Sequence, residues 1–81
     1  MNSQNDQNLI DKVIRLIANE LDIPPDRLSE SSSAKDITEW DSMGVLGILA
    51  MCDRNGLEVR NQEMPKLQSV SGIIEIFKTR E

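Results

Sequence analysis

The sequence has no histidine and no tyrosine, and only one phenylalanine, one tryptophan and one cysteine. Without histidine the chain cannot build a Ser-His-Asp or Cys-His catalytic group of its own, and it lacks the commonest transition-metal ligand. The lone Cys52 excludes an internal disulfide and a cysteine-rich zinc site. Aromatics at 2% leave no row of rings on which bases could stack. Positive charge is scarce as well. Nine Lys and Arg stand against fourteen Asp and Glu, a net charge of -5. That balance repels phosphate backbones and anionic lipid, argues against nucleic acid as a partner, and attracts proteins with basic docking faces. No hydrophobic run is long enough to span a bilayer, since the longest, Val45 to Cys52, is broken by Gly47. Met1 to Asn8 is polar and lacks the basic-then-apolar order of a leader. A single thiol without an export signal predicts a cytoplasmic protein.

The 81 residues suffice for one small domain, with about residues 1–6 expected to be a flexible end. Apolar residues recur at helical spacing in Ile10, Val13, Ile14, Ile17 and Leu21, which predicts a helix over about Asp6 to Leu21, capped by Asn5 or Asp6. Pro24-Pro25 must end it. A connection from about Asp22 to Asp41 follows, unusually long for so short a chain. Ile23, Leu28, Ile37 and Trp40 are spaced as anchors that could hold this loop on a core, and Asp26-Arg27-Leu28 suits one helical turn. The polar Ser29 to Ser33 run reads as solvated loop.

A second helix is expected from Asp41-Ser42 to Arg54, with Asp41 as N-cap and Asn55-Gly56 as a left-handed stop. Val45, Ile48, Leu49 and Cys52 make one apolar stripe, and Met43, Leu46 and Ala50 make another on a different side. Such a helix is either central to the fold or offers its second face to a partner. Gln62 to Leu67 contains Met64-Pro65 and supports at most a short turn. Val70, Ile73, Ile74 and Phe77, flanked by Ile76, predict a last helix opened by Ser69. The fold class expected is all-α: a small four-helix bundle of three main helices and one short one, with a long first loop. A monomer is expected.

Ser42 carries the most chemical promise. Its hydroxyl would lie on the first turn of a helix, where unpaired amides and the dipole favour a negative group such as phosphate. Gly44 would leave little bulk beside it. Ordinary capping by Asp41-Ser42 is the plainer reading of the dipeptide.

Taken together, Trp40-Asp41-Ser42-Met43 at the head of the second helix, Glu20-Leu21-Asp22-Ile23 closing the first, Met64-Pro65 and Ser69-Val70 resemble the acyl carrier protein family over nearly the whole chain. The resemblance implies an acyl-carrier-protein-like bundle. It implies 4′-phosphopantetheine, drawn from coenzyme A and attached to Ser42 by a phosphopantetheinyl transferase, with Asp41 helping the transferase place its metal and coenzyme A. The chain would be a non-catalytic carrier of acyl or related thioesters in fatty-acid or specialised biosynthesis. Its partners would be an acyl-loading ligase or acyltransferase and condensing and tailoring enzymes. An unmodified helical interaction module of the same fold is the alternative.

The pattern departs from the family at Gly44 and Gly47, which stand where acidic residues are frequent. Only Asp53 adds negative charge to the helix, and Arg54 offsets it; Asp36, Glu39, Asp41, Glu58 and Glu63 supply acidity nearby. Docking is therefore expected to rely on apolar contact through Met43, Leu46 and Ala50, with Gly47 and Trp40 also counted as partner-facing. In the plainer reading the two glycines merely weaken an exposed helix face, by about 1 kcal/mol each, and Trp40 packs the loop onto the bundle. Cys52 is expected to be a buried, inert thiol. If cargo folds back into the bundle, Val45, Ile48, Leu49, Leu57 and Ile73 would line its pocket.

Overall fold

The computed structural model describes the backbone of residues 3–80 and the side chains of residues 7–79. Helix α1 runs Ser3–Leu21, a 3-10 turn Pro25–Arg27, α2 Ser42–Arg54, a second 3-10 segment Asn61–Gln68, and α3 Val70–Arg80. Among the described residues no strand forms, and a single antiparallel bridge joins Ser33 and Ser69. The chain is thus a small helical bundle with a long first loop. No helix among the described residues is long and apolar enough to cross a membrane.

Helix α1 starts earlier than the apolar period suggests. Asn5 and Asp6 lie inside it and do not cap it. Its end has a specific cause. Asp22 takes the left-handed conformation at φ 58. Its N–H donates to the Asn19 carbonyl at 3.3 Å, and the Ile23 N–H donates to the Ala18 carbonyl at 3.0 Å. This paired closure is a Schellman stop, with Ile23 and Ala18 both buried beneath it. Helix α2 closes the same way. Gly56 sits at φ 77, and its N–H and that of Leu57 donate to the Asp53 and Cys52 carbonyls at 3.0 and 2.9 Å. Gly56 suits this place because it has no Cβ to strain a positive φ.

The core is one apolar cluster drawn from the three α-helices, the second 3-10 segment and the first loop. Ile17, Ile48, Leu67, Ile73 and Ile76 are completely enclosed, and each contributes about 1.5–3 kcal/mol relative to an exposed side chain. The four loop anchors Ile23, Leu28, Ile37 and Trp40 are all buried. The loop is therefore packed structure. Its serines bond within the turn, with the Ser29 N–H donating to Ser32 Oγ at 2.9 Å and Ser29 and Ser31 sharing a hydroxyl bond at 3.1 Å.

Two further expectations need correction. The Met64-Pro65 region is an eight-residue 3-10 segment, longer than one turn. The Arg60 N–H donates to Glu63 Oε1 at 3.0 Å and secures its start, while Leu67 buries its end. Met51 is a core residue that the stripe Val45, Ile48, Leu49, Cys52 left out; Val45 and Leu49 are only partly covered.

Candidate functional site at the head of helix α2

Asp41 is extended, and its Oδ1 accepts the Gly44 N–H at 3.0 Å. Its carbonyl accepts the first helical bond, from the Val45 N–H at 2.9 Å. Of the amides on this first turn, that of Gly44 is thereby satisfied. Those of Ser42 and Met43 have no partner within the helix, by the geometry of any α-helix start. Ser42 is the first helical residue and is exposed to solvent.

The face of α2 that continues from Ser42 is apolar and uncovered. Met43 is 73% exposed and Leu46 54%, with exposed Ala50 and Asp53 beyond them. The opposite side of the helix meets the rest of the fold. Gly44 lies on that inner side: a Cβ there would stand 2.8 Å from the Glu39 carbonyl oxygen and 2.8 Å from Leu21 Cδ2. Its role is therefore close approach of α2 to the end of α1. It does not clear space around the serine, nor does it simply weaken an exposed face. Gly47 also faces α1, where Glu20 passes over it.

Trp40 does not belong to the surface. It is 2% exposed, and its indole Nε1–H donates to the Leu67 carbonyl at 3.1 Å in a buried bond. It takes the packing reading and leaves the set of partner-facing residues.

The acidic surroundings are partly neutralised. Glu39 receives both terminal nitrogens of Arg27, at 2.9 and 3.1 Å. These bonds hold the Glu39 carboxyl below the ordinary carboxylate range. Arg54 is paired with Glu20 across the α1–α2 boundary. Asp36 accepts both the N–H and the hydroxyl of Ser33, at 3.2 and 3.3 Å. Among the described residues, no three His, Cys, Asp or Glu side chains gather as a metal-holding group. Cys52 is buried on the core face, and burial pushes its thiol pKa up, away from the reactive thiolate.

Of the five residues named for a cargo pocket, Ile48 and Ile73 are fully enclosed and Val45, Leu49 and Leu57 half-buried. An open crevice of about 380 Å³ lies elsewhere, between α1 and the 3-10 turn, lined by Asp11, Ile14, Arg15, Pro25, Asp26 and Leu28. Sequence reasoning did not single it out, because its residues are scattered over two elements. No protein-family model matches the chain, and no curated protein matches it either.

Proposed function

We propose that this chain is a carrier protein of the acyl-carrier type, modified with 4′-phosphopantetheine on Ser42. The observation that supports this most is the exposure of Ser42 on the first turn of α2. An incoming donor needs a reachable hydroxyl, and a phosphodiester is favoured beside unpartnered amides at the positive end of a helix. Asp41 is committed to Gly44, so it fixes the turn and leaves the amides of Ser42 and Met43 to face the new group.

In the attachment step Ser42 Oγ forms a bond to the phosphorus that bears the pantetheine portion of coenzyme A. The bond from that phosphorus to the nucleotide breaks, the nucleotide leaves, and the hydroxyl proton passes to a base of the transferase. Once attached, the group supplies a thiol that holds acyl or related cargo as a thioester. The chain's own residues do the rest. The capped turn holds the anchor point, and Met43, Leu46 and Ala50 present a contact face to the transferase, to a loading ligase or acyltransferase, and to condensing and tailoring enzymes. Tethering then raises the local concentration of cargo at those enzymes into about the millimolar range.

Incubation with coenzyme A and a permissive transferase should add one phosphopantetheine to the wild type and none to Ser42→Ala, read by intact mass. No gain in the wild type with any transferase would sink the proposal. A second reading, an unmodified interaction module, is favoured by the exposure of Met43 and Leu46, which needs no attached group. It expects no mass gain and partner capture by the unmodified chain.

A further inference from the structure

The loop leading to Ser42 is tied at two places to the end of the second 3-10 segment and at a third to the first residue of α3. Besides the Trp40 indole bond to the Leu67 carbonyl, at 3.1 Å, the Ala34 N–H donates to the Gln68 carbonyl at 2.8 Å and the Val70 N–H to the Ser32 carbonyl at 3.0 Å. All three involve the end of the second 3-10 segment or the residues just after it. Eight residues make a long 3-10 run, a length uncommon for this helix because its hydrogen-bond geometry is poorer, and Pro65 removes one of its donors. Its last carbonyls lack intrahelical partners, and the indole N–H fills that of Leu67. The bond is closed to water, because both Trp40 and Leu67 are buried. Only Asp41 separates Trp40 from Ser42. The Trp40 N–H also donates to the Ile37 carbonyl at 3.0 Å, which fixes the turn on its other side.

We propose that Trp40 is a positioning residue: its indole bond to Leu67 couples segment Asn61–Gln68 to the head of α2, so that the placement of Ser42 depends on that segment. The proposal rests on the reading of Ser42 as the attachment point. Small misplacements of a reacting group are costly, since a shift of about 1 Å can slow a reaction by about a hundredfold.

Trp40→Phe keeps a ring in the core and deletes the N–H. Pro65→Gly loosens the segment at an exposed position, away from the serine. Ile76→Val trims a buried side chain on α3 and controls for simple loss of stability. Initial rates of phosphopantetheine transfer should fall about tenfold in Trp40→Phe and in the same direction in Pro65→Gly, chiefly in kcat, at equal folded fraction by circular dichroism. Ile76→Val should match the wild type. Trp40→Phe within twofold of wild type while folded overturns the proposal. If the wild type accepts no group, the reading of Ser42 fails and the coupling is judged by amide spectra. In Pro65→Gly the indole N–H resonance and the amides of Ser42 to Gly44 should then shift together, and movement of the indole alone refutes the coupling.

Discussion

The carboxylate of Glu20 on α1 lies over Gly47 on α2, with its Oε1 3.3 Å from where a Cβ would stand, and closes on Arg54 one helix-half further along. Gly44, one turn earlier, meets unyielding neighbours: a backbone carbonyl and the Leu21 side chain, both at 2.8 Å from its notional Cβ. The two glycines should therefore respond oppositely to alanine. Gly47→Ala gains about 1 kcal/mol of helix preference against a carboxylate tip that can swing aside. Gly44→Ala gains the same and loses about 1–3 kcal/mol to overpacking. Urea denaturation should show Gly47→Ala neutral or stabilised and Gly44→Ala destabilised.

Both ends of the first loop offer a local test. Asp41→Ala removes the bond to the Gly44 N–H and should cost about 1 kcal/mol. Asp22→Gly relieves a left-handed backbone at φ 58 and should gain about 0.5 kcal/mol, because the relief exceeds the added freedom of the unfolded chain. The urea midpoints should move in opposite directions at constant m.

The Arg27–Glu39 pair predicts a pH response. Arg27 holds the folded-state pKa of Glu39 below its ordinary value. The pair's contribution is thus fully present above the unfolded glutamate pKa, and it disappears as pH falls through the depressed folded value. Arg27→Gln should raise the Glu39 titration midpoint, followed by its carboxyl carbon shift. High salt should shrink the difference, since the pair is open to solvent.

Under the carrier reading, contact on α2 is apolar more than electrostatic. Leu46→Asp should slow a cognate enzyme at least about tenfold, because a charge replaces a buried contact at the interface. Asp53→Lys should change the rate less than about threefold and alter its salt dependence. The reverse ranking, in steady-state kinetics with the modified protein, would overturn this view.

Much of this arrangement is legible in the residues. The helical periods, the Asp41 cap, the Asn55-Gly56 stop and the four loop anchors follow from local chemistry, and the structure places them as those rules expect. What escaped was set by neighbours distant in sequence. Nothing local marks Asp22 as left-handed, since the usual signal is glycine. Gly44 reads as a weak helix position until Leu21 and the Glu39 carbonyl are brought against it. Met51 lies between the two stripes of α2 and is buried in the common core. Glu39 and Arg54 count as free charges along the chain and are paired across the fold. The crevice beside Pro25 exists only once α1 and the turn are side by side.

The Trp40 ring is the sole indole in the molecule, and the chain has no tyrosine. Its ultraviolet emission therefore arises almost wholly from one spot, two residues ahead of Ser42 and pressed against the Leu67 carbonyl. Undocking of the long loop should shift that emission to longer wavelength, so the protein carries an intrinsic optical gauge of the state of its own serine-bearing turn without any added label.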